Sequence, residues 1–160
     1  MVKRYIAPLA SGRVRLRLLE EADLPVTLAW RNQDHIRKWF FHSEVITPDQ
    51  HRRWFEHYRH RDDDFVFVIE ERDTLMRPVG QVSLYNIDWS GRRGEFGRLL
   101  IGDPAAAGLG IAAAATRLLV DEALSAWGLA EVDLEVLQSN APALAIYRRL
   151  LPTMDAMMRV

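Results

Sequence analysis

The segment that decides the fold is Asp103-Pro104-Ala105-Ala106-Ala107-Gly108-Leu109-Gly110-Ile111. It follows the apolar run Leu99-Leu100-Ile101, which is typical of a strand, and it precedes a helical run from Ala112 to Trp127. A glycine-rich turn that ends a strand and opens a helix exposes backbone N–H groups at the positive end of the helix dipole. The segment therefore predicts a binding site for a phosphate or pyrophosphate.

Length and composition bound the class of protein. A chain of 160 residues suits one domain, and 49% hydrophobic with 27% charged residues is ordinary for a soluble globular protein. The net charge of -1 gives no global attraction to nucleic acid or an anionic membrane, and no stretch is apolar enough to span a bilayer. The absence of cysteine excludes disulfides and thiolate catalysis and fits a cytoplasmic location. We expect neither nucleic-acid nor membrane partners.

Residues 30–61 form a local basic and aromatic segment. All five histidines and three of the five tryptophans lie there, and basic residues outnumber acidic ones. Such a segment favours an anionic, ring-containing small ligand. The alternative, favoured when the segment is taken alone, is a helical hairpin with its tryptophans in the core. His57 and His60 have no third ligand at suitable spacing, so we expect no metal site.

The order of elements predicts a mixed α/β (α+β) domain. The strands that precede the glycine-rich turn are expected to be antiparallel, and a crossover helix then joins two parallel strands. Gly94 and Gly97 indicate a bulge or a close backbone approach at strand 95–101. Helices on both faces of one sheet complete the prediction. The predicted strands are 13–19, 65–69, 79–87, 95–101 and 132–137, and the predicted helices are 20–32, 47–58, 112–127 and 141–150.

This order resembles the GCN5-related N-acetyltransferase (GNAT) superfamily from about Arg13 to Leu150. The turn at 105–110 is similar to the family's acetyl-CoA pyrophosphate loop, and Asn140 with Tyr147 seven residues later is similar to a segment after its fifth strand. A subgroup that acetylates amino sugars on nucleotide carriers, in the pseudaminic-acid pathway, is also similar. Its resemblance rests on Trp30-Arg31-Asn32, Glu95-Phe96-Gly97, His51, Arg53 and Trp54.

The chain departs from the family pattern at two places. The family usually has Arg or Gln at Ala105 and Gly at Ala106, which implies weaker cofactor binding here. After Tyr147 the family continues with two more strands, whereas 151–160 is an atypical tail. We therefore expect the C-terminal strands to be missing from this single domain of residues 1–160. The edge of strand 132–137 would then be exposed, and a homodimer could cover it.

The resemblance implies direct, acetyl-CoA-dependent N-acetyl transfer to a primary amine. The expected acceptor is a small molecule, an amino sugar on a nucleotide carrier. One alternative acceptor is a protein N-terminus, as in ribosomal-protein acetylation. A second alternative, motivated by Ala105, Ala106 and the short C-terminus, is a non-catalytic CoA-binding or interaction module.

The resemblance also implies roles for individual residues. Tyr147 is the candidate acid for the thiolate and Glu95 the candidate base, with His51 as an alternative base. Asn140 would hold the pantetheine arm or cap the helix that follows. The other cofactor-binding candidates are Leu99, Leu100 and Ile101 by their main chain and Gly108, Leu109, Gly110, Ile111 and Ala112 by their N–H groups. The substrate-binding candidates are Trp30, Arg31, Asn32, His51 and Trp54.

Overall fold

The structure, a computed structural model, describes residues 3–40, 42–150 and 156–159. The strands in these ranges are β1 (Leu9–Ser11), β2 (Val14–Leu18), β3 (Phe65–Glu71), β4 (Arg77–Asp88), β5 (Arg93–Ile101), β6 (Glu131–Glu135) and β7 (Ala156–Arg159). The α-helices are α1 (Leu24–Arg31), α2 (Asp34–Arg37), α3 (Pro48–Tyr58), α4 (Ile111–Ser125) and α5 (Ala141–Leu150). Short 3-10 turns precede α1 and α4. None of the helices described here is long and apolar enough to cross a bilayer.

The strands form one sheet in the order β1 to β7. Neighbours from β1 to β5 are antiparallel, whereas β6 is parallel to β5 and β7 is parallel to β6. Helix α4 connects the parallel pair β5 and β6, as a crossover must. The predicted mixed, mostly antiparallel sheet is confirmed.

The helices cover both faces of the sheet. On one face, Phe96 of β5 and Leu134 of β6 belong to the same buried cluster as Leu119 of α4. On the other face, Val66 and its strand neighbour Val68 pack against residues of α1 and α3. The sheet is therefore a wall with α4 on one side and the α1–α3 layer on the other.

Helix α3 begins where the sequence predicts. The Thr47 hydroxyl accepts a hydrogen bond from the Gln50 amide at 3.1 Å, and the Gln50 side chain accepts one from the Thr47 amide at 2.9 Å. Pro48 occupies the first turn, where its missing N–H costs nothing. This reciprocal pair satisfies two amides that the helix itself cannot pair.

A bulge in β5 opens the sheet. Ser83 lies opposite Gly97 and Gln81 opposite Leu100, so β5 contains one extra residue in this interval. Arg98, within the bulge, has a φ of +53°. Strand β5 pairs with β6 only up to Phe96, and no described residue pairs with the β6-facing edge of 97–101. The irregularity that Gly97 predicts is therefore present, and it places a cleft between β5 and β6.

The C-terminal segment corrects one expectation. Strand β7 lies beside β6, with Val132 opposite Ala156 and Glu135 opposite Arg159. A strand therefore follows α5, and the edge of β6 is covered by the chain itself. The expected exposed edge of strand 132–137, which a homodimer could have covered, is not present. The sequence did not reveal β7 because alanine, methionine and arginine favour helix in isolation, and only pairing with β6 selects a strand.

Candidate functional site

The turn before α4 has a backbone that favours glycine. Gly108 and Gly110 have φ values of +78° and +72°. A side chain at either position would meet no atom within 4 Å, so the dihedral angle and not the space requires glycine there. Gly110 is the N-terminal cap of α4 and contributes no side-chain bond to the helix.

Several amides of this turn have no acceptor. Within the ranges that the structure describes, nothing accepts from the N–H groups of Gly108, Gly110, Ile111 and Ala112. The Leu109 amide instead points to the Ala106 carbonyl at 3.4 Å. Unpaired amides at the positive end of a 15-residue helix form a site that an anion can satisfy.

Asp103 fixes the start of the turn. Its carboxylate accepts from Arg77 Nε at 2.7 Å and from the Ala105 amide at 3.0 Å. These contacts, Arg77 first, hold the pKa of Asp103 below its ordinary value. Ala106 follows in the 3-10 turn with its side chain buried in the core, and its φ is not positive. An alanine at 106 therefore does not strain this backbone.

The turn opens on a cavity of about 370 Å³. Gly108, Gly110 and Ala112 line one side, and Ile146 and Arg149 of α5 line another. His35 of α2 closes part of the wall. Arg149 is exposed and forms no ion pair with any residue of the described ranges. Arg149 was not among the residues predicted from the sequence, although its place two residues after Tyr147 on the same helix was a usable signal.

The free edge of β5 leads from this cavity into the sheet. Leu100 and Ile101 pair with Gln81 and Gly80 of β4, which leaves their other side toward β6 unpaired by any described residue. Leu99, the third candidate of this run, is partly buried against the main core. An extended arm could add to this edge as an additional strand does.

Tyr147 lies on the α4 side of the cleft. Its side chain is 4% exposed, and its ring contacts Phe96 edge-on with the ring centres 6.1 Å apart. Burial raises the pKa of Tyr147, and the neighbouring Tyr85 raises it further. No hydrogen bond from the described residues occupies the hydroxyl. The phenol is therefore protonated at neutral pH and can donate its proton.

Glu95 lies on the opposite face. It precedes Phe96 in β5, and successive strand residues point to opposite faces. Its cross-strand neighbours are Tyr85 of β4 and Asp133 of β6. The two catalytic candidates, Glu95 and Tyr147, are thus separated by the sheet and flank the region where β5 and β6 part.

A polar group not predicted from the sequence lies beside Glu95. The Arg98 guanidinium lies 4.0 Å from the centre of the Tyr85 ring and donates to the carboxylate of buried Asp64 at 2.9 and 3.1 Å. The missing side chain of Gly97 leaves room for the Tyr85 hydroxyl, which a Cβ would approach to 2.8 Å. This arrangement fixes Arg98 at the bulge, next to the cleft.

Two substrate-binding candidates have internal contacts instead. Trp30 is buried in a cluster with Ile36 and Leu100, and a side chain at Gly102 would overlap its ring. The Asn32 side chain donates to the Ile46 carbonyl at 2.7 Å and accepts from the Ile46 amide at 2.9 Å. The structure thus gives both side chains contacts within the protein, and their roles in substrate binding stay predictions.

Arg31 is a buried arginine whose guanidinium is only partly satisfied by the described residues. It is 8% exposed, its guanidinium lies 4.0 Å from the centre of the Phe40 ring, and Nη2 donates to the His42 carbonyl. Nη1 is buried and has no partner in the part of the chain that the structure describes. Burial lowers the pKa of Arg31, while exposed Glu44 partly offsets this.

His51 and Trp54 form a stack on α3. Their rings are 5.3 Å apart and nearly parallel at 7°, and Trp54 stacks in turn on Tyr58 at 5.0 Å. His51 Nε2 lies 3.4 Å from the Thr27 hydroxyl. Burial lowers the pKa of His51, so the imidazole is neutral at pH 7.

Asn140 caps α5. Its side-chain oxygen accepts from the Ala143 amide at 3.3 Å, and its carbonyl accepts from the Leu144 amide at 3.0 Å. Capping was one of the two roles that the sequence left open. A contact with the cofactor arm stays a prediction. Among the described residues, no group of histidine, aspartate or glutamate side chains is arranged to hold a metal ion.

Comparison with known proteins gives one family. The model of the acetyltransferase (GNAT) domain matches residues 13–150. No curated protein is significantly similar to the chain in sequence.

Solved structures share the fold. A spermidine N-acetyltransferase from Vibrio cholerae, in complex with CoA and spermine, superposes with a TM-score of 0.77 at 24% identity, over 87% of this chain and 80% of that one. A domain from Methanocaldococcus jannaschii gives 0.75 at 22% identity, over 88% of each chain. A GCN5-related N-acetyltransferase from Brucella melitensis gives 0.74 at 19% identity, over 92% of this chain and 68% of that one. At these identities the likeness concerns the fold.

Proposed function

The chain belongs to the GNAT family and is an N-acetyltransferase, and on this premise we propose that it transfers an acetyl group from acetyl-CoA directly to the primary amine of a small molecule. One observation carries the proposal. The unpaired amides at the start of α4 open on a cavity that reaches the free edge of β5 at Ile101. This arrangement suits a ligand with a pyrophosphate at one end and an extended amide-containing arm at the other.

The described residues fit acetyl-CoA, which when bound supplies an acetyl group as a reactive thioester. The amides of Gly108, Gly110, Ile111 and Ala112 would hold its pyrophosphate. Arg149 adds a positive charge across the same cavity, which offsets the side-chain donor that Ala105 lacks. The main chain of 99–101 would pair with the arm.

Proton transfers are divided between the two faces of the sheet. Glu95 would accept a proton from the incoming ammonium group, directly or through water, so that a neutral amine can attack the acetyl carbon. Tyr147 would donate its proton to the departing sulfur, because its hydroxyl is protonated at neutral pH. Each group then regains its starting state from solvent. Attack and departure thus need no acyl-enzyme.

The acceptor is proposed to be an amino sugar on a nucleotide carrier. The basic and aromatic segment 30–61 supports a ligand that carries both rings and negative charge. The spermidine acetyltransferase of similar fold was solved with spermine. A polycation is a poor electrostatic match for this segment, and a positively charged protein N-terminus likewise favours an acidic groove.

Substitution of the candidate acid tests the proposal. We expect acetyl-CoA to raise the Tm of the wild-type protein and of Tyr147→Phe alike, because the hydroxyl is not part of the phosphate site. Turnover of accepted amines by Tyr147→Phe should fall by roughly 100-fold or more, the usual contribution of a general acid. Thermal denaturation and a thiol-release assay measure the two effects.

Tyr5→Phe is the matched control, since Tyr5 is 79% exposed. It should match wild type in both assays. Acetyl-CoA binding without turnover of any amine would favour a CoA-binding module, and no thermal response to CoA at all would contradict the proposal.

A further inference from the structure

A second cavity lies beside the one that opens on the glycine turn. Its volume is about 450 Å³. Helix α2 separates the two, because His35 lines the first cavity while Asp34 and Arg37 line the second. Leu137, just beyond β6, forms the opposite wall. The second cavity thus lies between the 34–43 segment and the end of the strand that bounds the cleft.

The charges at this cavity do not cancel. Each guanidinium nitrogen of Arg37 has an acceptor, because Nε and Nη2 donate to Asp34 at 3.1 and 2.8 Å and Nη1 donates to the Ser43 carbonyl at 3.1 Å. That pairing neutralises Asp34, the acidic residue of the lining. Lys38 lines the cavity as well, is exposed, and has no acidic partner in the described ranges. Its Nζ lies 4.7 Å from the Trp39 ring centre. One positive charge is therefore left over.

The buried charge of Arg31 lies next to a residue that lines the same cavity. The Phe40 side chain lines the cavity, and the Phe40 ring also contacts the Arg31 guanidinium at 4.0 Å. Arg31 is buried with Nη1 unsatisfied, and no carboxylate of the described residues forms an ion pair with it. A buried guanidinium without a counter-ion is costly unless something negative offsets it. Glu44, the acidic group that favours its charged form, is exposed.

We propose that the second cavity binds an anionic group, a carboxylate or phosphate, carried by the amine acceptor. Lys38 contacts this group, and Arg31 adds a positive potential from behind Phe40. The inference rests on the proposed acetyl transfer and gives its acceptor a chemical class, an amine that also bears a negative charge. Polyamines do not belong to that class.

Matched acceptor pairs test the class. Glucosamine 6-phosphate against glucosamine, and phosphoethanolamine against ethanolamine, differ only in the anionic group, and spermidine represents the polyamines. We expect the anionic member of each accepted pair to have the higher kcat/KM. Lys38→Glu should raise the KM for that member by about tenfold with little change in kcat, since a charged contact made equally in ground and transition states is lost. Lys38→Arg should keep the preference.

Arg59→Glu is the control for charge reversal, because Arg59 is exposed and its ion-pair partner is the nearby Glu56. A preference for neutral amines or spermidine, or an equal change in Lys38→Glu and Arg59→Glu, would overturn the inference. A direct binding assay does not depend on turnover. With CoA saturating the first cavity, inorganic phosphate should raise the Tm of wild type but not of Lys38→Glu. If no amine is acetylated but phosphate acts as expected, the proposed function fails and the anion site stands; absence of the phosphate effect removes the site.

Discussion

Gly110 carries a prediction at the scale of a single residue. Its φ of +72° sets the direction of the first amides of α4, and the space around it is open. Gly110→Ala adds no clash but strains the backbone by about 1 kcal/mol. We expect the backbone to relax and misalign the amides, which should weaken acetyl-CoA binding by roughly fivefold. Isothermal titration calorimetry measures this change.

Gly12→Ala provides the comparison. Gly12 has a φ of +56°, lies in the turn between β1 and β2, and would also place a side chain in open space. This variant should lose similar stability while keeping wild-type affinity for acetyl-CoA. Equal loss of affinity in the two variants would mean that the turn before α4 has no special role.

The sequence identifies some site residues better than others. Gly108 and Gly110 could be assigned because a turn between strand and helix constrains the backbone locally. The burial of Trp30 under Gly102 depends on a segment distant in the chain, and so does the lack of a partner for Arg31 Nη1 among the described residues. A list of polar and aromatic residues cannot separate these cases. Only packing decides which aromatic ring becomes part of the core and which guanidinium lacks a counter-ion.

At the scale of an element, His51 links α3 to pH-dependent stability. Burial lowers the pKa of His51 below its ordinary value of 6.5. Between that lowered pKa and 6.5, the unfolded chain binds a proton that the folded protein does not. Stability contributed by the neutral imidazole is therefore complete above pH 6.5 and is lost as the pH falls. Urea denaturation at about pH 7.5 and about pH 5.5 measures the difference.

His51→Phe should remove this part of the acid sensitivity while keeping a ring against Trp54. His57→Phe on the same helix is the control, because His57 is exposed. Parallel stability curves for wild type and His51→Phe would contradict the assignment of the effect to His51.

Helices and strands with a clear local sequence pattern could be predicted, and those without one could not. The capping pair of Thr47 and Gln50 marks the start of α3 without reference to the rest of the fold. Strand β1 and helix α2, of three and four residues, are too short for a periodic pattern, and neither was predicted. Strand β6 ends at Glu135 and not at Leu137 because, among the described residues, β5 pairs with it only to Leu134 and β7 only to Glu135. Pairing with distant strands thus determines what the local sequence leaves open.

For the whole molecule, β7 covers what would otherwise be an exposed edge. A chain ending at Leu150 would leave the amides and carbonyls on one side of β6 unpaired. We expect this truncation to lower the Tm and to cause association that increases with protein concentration. Thermal denaturation and size-exclusion chromatography at several concentrations measure both effects.

The control keeps the length and removes the strand. Replacing residues 156–159 with glycine and serine should reproduce the behaviour of the truncated chain, because the pairing and not the added mass is lost. If the truncated chain remains monomeric and as stable as wild type, β7 is dispensable for covering β6.

The placement of Glu95 and Tyr147 on opposite faces of the sheet affects how the proposed reaction resets. The proton removed from the amine is not the one delivered to sulfur. Each turnover therefore leaves Glu95 protonated and Tyr147 deprotonated. Half-buried Glu95 can release its proton to bulk water at once. The Tyr147 phenol, at 4% exposure, can take up a proton only after water has entered the cleft that the products leave. Reprotonation of Tyr147 therefore depends on departure of the products.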